Sequence, residues 1–290
     1  MKTANNSVAT DDVIALLDLE PLEVNLFRGI SPDVTWQRVF GGQVIGQALT
    51  AAYRTVEGRI CHSLHAYFIR PGDPKVPIIY EVDRSRDGTS FTTRRVVAIQ
   101  HGKQIFNLAA SFQIPEKGFE HQFDMAKIPP PESLPTDEEL RLAVIDRVPE
   151  SIAKHFARPR PIEMRPVNRH DFIDPVASPP YQQIWFKARN PVGDNLPLNQ
   201  CMLAYASDMS LLDTCFRPHG ISWLSGKLQS ASLDHAMWFH HPFTMDDWLL
   251  YDMDSPSASG ARGFNRGSVY TRDGLLVASV AQEGLFRYRG

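Results

Sequence analysis

Residues 39–56 read VFGGQVIGQALTAAYRTV, a run in which Gly41, Gly42, Gly46, Ala48, Ala51 and Ala52 are interspersed with the larger Val44, Ile45 and Leu49. Small side chains let a helix approach its neighbour closely, so this helix is placed against a sheet. The sheet follows at once: His62 to Ile69, Ile78 to Ser85, Phe91 to His101 and Gln104 to Gln113 read as strands. Asp87-Gly88 and His101-Gly102 lie between them, and a glycine that accepts positive φ is what a tight hairpin needs. One helix followed by an antiparallel meander results.

The same order returns further along. A strand at Gln182 to Ala188 precedes a helix from about Leu198 to Leu212, and strands then resume. His65-Ala66 aligns with His235-Ala236 at an offset of 170, Ile78-Ile79-Tyr80 with Leu249-Leu250-Tyr251 at 171, and Gly102 with Gly274 at 172. This near-constant offset predicts an α+β chain made of two tandem units, each a central helix wrapped by an antiparallel sheet, with the two sheets pairing side by side. Between the halves, Pro115, Pro129, Pro130, Pro131, Pro135, Pro149, Pro159, Pro161 and Pro166 break up a segment with one plausible helix, Asp137 to Arg147. The expected division is therefore 1–114, a Pro-rich linker 115–166, and 167–290. A short docking helix, Asp11 to Leu19 with Thr10 or Asp11 as N-cap, precedes the first unit.

Composition narrows the functions. With 290 residues, 43% hydrophobic and 22% charged, the chain buries a core without covalent staples. Its net charge of −3, with no basic block, argues against a nucleic-acid partner. Cys61, Cys201 and Cys215 form no CxxC and have no His at ligand spacing, which argues against a disulfide framework or a zinc site. His240-His241 have no third ligand nearby, so no metal and no cofactor are expected. No stretch approaches the ~20 apolar residues of a membrane helix, Met1 to Asp12 is polar, and the terminal FRYRG is no peroxisomal address, so a cytosolic protein is expected.

Five stretches carry a family resemblance: VFGGQVIGQAL at 39–49, HSLHAYFIRPGD at 62–73, AYASDMSLL at 204–212, LDHAMWFH at 233–240 and ARGFNRGSVYTRDGLLVASVAQEG at 261–284. Together they resemble the type II acyl-CoA thioesterases, and the match runs from about Leu16 to Glu283. The resemblance implies a double hot-dog fold, an acyl-CoA substrate and assembly into a homodimer or homotetramer. It also implies a catalytic Asp on the second helix, a Ser or Thr just before the LDH segment, and a Gln near the end of the last strand. Those positions are Asp208, Ser232 and Gln282.

The residues can be read without the family. Asp208 shares a helical face with Ala204, Tyr205, Leu211 and Leu212, so its carboxylate points toward the apolar interior. Desolvation raises such a carboxyl toward the range of a general base; the rival reading is a kinked helix satisfied by Ser207 and Ser210. Ser232 and Gln282 cannot deprotonate water but can orient it, and Gln282 ends the strand face Ala278, Val280, Gln282. His62, His65 and His235 could act as bases, though strand histidines more often satisfy local hydrogen bonds, and Asp234 is read as bracing the LDH turn.

Gly41 and Gly42 at a helix N-terminus could offer backbone N–H groups to an oxyanion or phosphate, while Arg94, Arg95, Arg262 and Arg266 are candidates for the coenzyme A phosphates. Tyr67, Phe68, Met237, Trp238 and Phe239 could line an acyl tunnel. No GxSxG elbow or Cys–His pair is visible, so water attack without a covalent intermediate is the expected reaction. A hot-dog hydratase or dehydratase and a non-catalytic acyl-CoA binding module are the rivals.

Overall fold

The computed structural model describes residues 8–32, 38–226 and 228–289. Helix α1 (Val8–Leu17) leads into β1 (Glu20–Glu23) and β2 (Leu26–Gly29), then α2 (Gly41–Tyr53) and the meander β3 (Ile60–Phe68), β4 (Ile78–Asp87), β5 (Phe91–Gln100) and β6 (Lys103–Gln113). Two short helices, α3 (Asp137–Leu142) and α4 (Glu150–Phe156), and strand β7 (Ile162–Pro166) follow. The second half runs β8 (Tyr181–Ala188), α5 (Leu196–Ser207), β9 (Leu228–Ser232), β10 (Asp234–Phe239), β11 (Leu249–Ser259), β12 (Arg262–Thr271) and β13 (Leu276–Tyr288).

Among the described residues the thirteen strands form one antiparallel sheet in the order β1-β2-β4-β5-β6-β3-β10-β13-β12-β11-β8-β7, with β9 beside the far end of β13. Both halves meet at β3 and β10. Helices α2 and α5 pack on each other inside the sheet, and one continuous apolar core joins Ile45, Leu49, Leu64 and Leu108 to Met202, Leu203, Met237 and Val280. This is the double hot-dog arrangement.

The repeat is real, but its register at the seam differs by one residue from the expected alignment. Ala66 pairs with His235 and His65 with Ala236. Opposed residues share a face, and His235 is 0% exposed while His65 points outward. An offset of 170 would therefore equate an inward with an outward side chain. At 171 Leu64 matches His235 and Ala66 matches Met237, all facing inward, and the same offset relates Tyr80 to Tyr251, both buried. The shared His-Ala dipeptide is thus a coincidence of letters, since a one-residue slip in a strand reverses every side chain.

Two of the expected turns act through different means. His101 (φ 49°) and Gly102 (φ 67°) form the left-handed pair that joins β5 to β6. Gly88 instead is needed for space, because a Cβ there would lie 2.8 Å from the Phe91 carbonyl oxygen. Helix α1 begins at Val8, so the N-cap assigned to Thr10 or Asp11 does not hold on the backbone, and those two side chains lie outside the described residues.

The Pro-rich segment is more ordered than a plain linker. Thr136 and Glu139 close a capping box at the start of α3, and β7 pairs with β8, attaching residues 162–166 to the second half of the sheet. Met125, Ile128 and Leu134 cover Trp185, Leu250 and Tyr270 on the outer face, with the indole N–H of Trp185 donating to the Pro129 carbonyl at 3.0 Å.

Candidate active site

Helices α2 and α5 run antiparallel. A Cβ on Gly42 would meet the Tyr205 carbonyl oxygen at 2.2 Å, and one on Gly46 would meet the Cys201 carbonyl at 3.1 Å. Only glycine allows backbones this close, which is why the small-residue run lies here. The antiparallel arrangement carries the C-terminal end of α5 to the N-terminal end of α2.

Asp208 is the C-cap of α5 and not a residue within it, because the helix stops at Ser207 and Ser210 takes a left-handed φ of 67°. The break expected by the rival reading is present, yet the carboxylate still turns inward. It lies against the first turn of α2: a Cβ on Gly41 would come within 2.6 Å of Asp208 Oδ2, and the Gly42 N–H donates to the carboxylate. Gly42 therefore holds an acid of this chain, and its N–H is not left over for an oxyanion.

Ser232 and Gln282 converge on the same point. Ser232 Oγ donates to Asp208 Oδ1 at 3.0 Å, and Gln282 Nε2 donates to Ser232 Oγ at 2.7 Å. Behind them His235 Nδ1 lies 2.7 Å from Gln282 Oε1, and its Nε2 lies 2.9 Å from Ser207 Oγ.

A slip in the sheet makes this possible. Ser232 pairs with Gly284 and Ala236 with Ala281, so four steps along one strand oppose three along the other. The extra residue turns Ser232 and His235 toward the same interior, although they are three positions apart. Asp234 braces this bulge by accepting from the Glu283 N–H at 2.7 Å.

The electrostatics follow from burial. Asp208 is partly accessible, but its packed surroundings push the carboxyl up to about 6, against the lowering effect of hydrogen bonds from Ser232, Gln282 and the Gly42 N–H. Asp213, absent from the sequence-based set, is also raised to about 6 by burial, with Arg160 opposing the shift and Asp208 adding to it. Burial lowers His235 to about 4, so the ring is neutral at pH 7.

The other predicted residues disperse. Arg94 is 1% exposed and its guanidinium bonds Thr55, Asp87 and the Arg86 and Thr93 carbonyls, so it is a structural ion and not a phosphate ligand as placed. Arg95 is exposed on β5. Arg262 and Arg266 lie on the outer face of β12, opposite to the buried Asn265, and pair with Glu283 and Asp254.

His62 bonds Ser111 and His65 packs edge-on against Trp238, so neither belongs to the Asp208 cluster. Of the five aromatic and aliphatic candidates for an acyl tunnel, only Phe68 reaches the site, its ring 3.0 Å from the position of a Gly41 Cβ. Tyr67 and Trp238 face outward, whereas Met237 and Phe239 enter the core. Two surface hollows of about 690 and 810 Å³ share no lining residue with the Asp208 cluster. Among the described residues no group of three His, Cys, Asp or Glu is placed to hold a metal.

Known proteins resemble the chain along nearly its whole length. A family model described as acyl-CoA thioesterase matches residues 152–285, and one described as acyl-CoA thioesterase N-terminal domain matches 30–113. The chain is 41% identical to acyl-CoA thioesterase 2 of Haemophilus influenzae over 280 residues, covering 96% of this chain and 98% of that one. It is 42% identical to human acyl-coenzyme A thioesterase 8, covering 96% and 89%. The crystal structure of an acyl-CoA thioesterase II from Mycobacterium marinum superimposes with a TM-score of 0.78 at 44% identity, covering 95% of this chain and 98% of that one. With both halves matched by family models and identity above 40% along nearly the whole length, the chain belongs to the acyl-CoA thioesterase family.

Proposed function

We propose that the chain hydrolyses acyl-CoA thioesters by direct attack of water on the thioester carbonyl. The observation that carries this reading is the Asp208 carboxylate, raised to about 6 and joined to Ser232 and Gln282 at the mouth of α2. Asp208 removes a proton from water as the new C–O bond forms, and Ser232, with Gln282 behind it, holds that water in line. The N–H of Gly41, the first residue of α2, is assigned to the carbonyl oxygen as negative charge develops there. Collapse of the tetrahedral intermediate breaks the C–S bond, and the proton returns from Asp208 to the departing thiolate. The products are the free acid and coenzyme A.

Of the four arginines, the exposed Arg95 remains the best placed for a coenzyme A phosphate, since the other three are engaged by carboxylates. We also propose that residues 1–114 and the chain from β7 onward are two copies of one unit. A homodimer or homotetramer fits the exposed Tyr67 and Trp238 on the outer face of the seam, 59% and 37% accessible. A cytosolic setting fits three free, buried thiols. No described helix is long and apolar enough to cross a membrane.

Asp208→Asn is expected to lower thiol release from acyl-CoA by at least about 100-fold while circular dichroism and thermal melting show an intact fold. Unchanged turnover would remove Asp208 from the mechanism. Incubation with an enoyl-CoA separates the rival chemistry, because water addition without thiol release would identify a hydratase. An acyl-CoA binder without turnover would be the binding module.

A further inference from the structure

The hydrogen bonds behind Gln282 have a direction, and it follows from counting protons. Ser232 has one hydroxyl proton, and it donates that proton in a hydrogen bond to the Asp208 carboxylate at 3.0 Å. The Ser232 oxygen can then only accept, so Gln282 presents its amide nitrogen at 2.7 Å. This leaves the Gln282 carbonyl oxygen against His235 Nδ1, also at 2.7 Å, and two bare acceptors at that distance repel. The proton of the neutral ring must therefore reside on Nδ1. His235 Nε2 is then an acceptor for the Ser207 hydroxyl at 2.9 Å, which also lies 3.0 Å from the Ala204 carbonyl. Ser207, His235 and Gln282 are all 0% exposed, so bulk water does not intervene. In the first half Leu64 occupies the place of His235, and among the described residues this chain of donors occurs once.

We infer that His235, held as its Nδ1–H tautomer between Ser207 and Gln282, is a positioning residue that locks the Gln282 amide with its nitrogen toward Ser232, whose partly exposed hydroxyl faces the attacking water. The inference rests on the proposed hydrolysis, since it assigns Gln282 the task of orienting the Ser232 hydroxyl toward that water. Without the ring proton the Gln282 oxygen loses its donor, and Ser232 alone is left to select between the two amide orientations.

Two substitutions separate position from bulk. His235→Asn puts an amide nitrogen near the place of Nδ1, and His235→Gln puts one near the place of Nε2. The Asn variant is expected to keep kcat within about threefold, whereas the Gln and Ala variants lose about 10–100-fold with KM within about twofold. Equal kcat in the Asn and Gln variants, high or low, overturns the positioning role, and so does an effect confined to KM.

A measurement on the unaltered full chain, ¹⁵N NMR with labelled histidine at pH 7, reads the tautomer directly. A pyrrole-type Nδ1 and a pyridine-type Nε2 are expected, and the reverse pattern overturns the inference. Gln282→Ala distinguishes the two levels of the argument. Full turnover in that variant defeats the hydrolytic role of Gln282 itself, while a crippled Gln282→Ala beside a fully active His235→Gln defeats only the role of His235.

Discussion

Asp208 couples its acidity to stability and, in the proposed hydrolysis, to turnover. If it accepts the water proton, kcat/KM rises about tenfold per pH unit below about 6 and levels off above it. A profile that stays flat from pH 5 to 7 would contradict a base of this acidity. The same raised carboxyl destabilises the fold once ionised. Below its unfolded value near 4 the group is protonated in both states and costs nothing. Stability is then lost as pH rises from there through about 6, and the loss stays constant above that. Asp208→Asn should therefore gain about 1–3 kcal/mol at pH 8 and nothing at pH 3.5, measured by urea unfolding, even as it abolishes turnover. The residue was legible because a carboxylate stood among apolar neighbours. Asp213, five positions on and equally raised, carried no such pattern, since it lies past the end of the helix.

At the level of elements, the close approach of α2 and α5 sets the site. Gly41→Ala would place a methyl 2.6 Å from Asp208 Oδ2, an obstacle the side chain can avoid by moving. Turnover should fall about tenfold or more, with stability changed by less than about 1 kcal/mol. Gly42→Ala would meet the Tyr205 backbone oxygen at 2.2 Å, which cannot move without separating the helices. A loss of about 1–3 kcal/mol or more is expected, read as a lower thermal midpoint. The small-residue run foretold a close approach but assigned it to a sheet, whereas Gly42 and Gly46 lie against the backbone of α5. It did not foretell that the helix ends at Ser207, because Ser207, Met209 and Ser210 are no stronger breakers than residues inside many helices. Nor could the bulge at Leu233 be read, since an added residue in one strand is visible only against its partner. That bulge brings His235 to Gln282, and alternation alone would have sent it to the face opposite Ser232.

Across the whole molecule the seam between β3 and β10 makes two similar halves into one cooperative body. One sheet and one core cross it, so tryptophan fluorescence and far-ultraviolet circular dichroism should report a single, coincident urea transition. Two separated transitions would show that the halves hold together independently. Element order and the two-unit plan were plain from the sequence, because helix and meander recur at a nearly fixed spacing. Side-chain facing at the seam was not, since matching letters outweighed the parity of the strand. The two halves also differ at one point: the C-cap of α5 is Asp208, while the C-cap of α2 is Arg54, which pairs with Asp18. A cation cannot abstract a proton. With Asp208 as the proposed base, each polypeptide would bear a single working centre, and titration with a tight inhibitor should saturate at one equivalent per subunit, half of what two faithful copies would have provided.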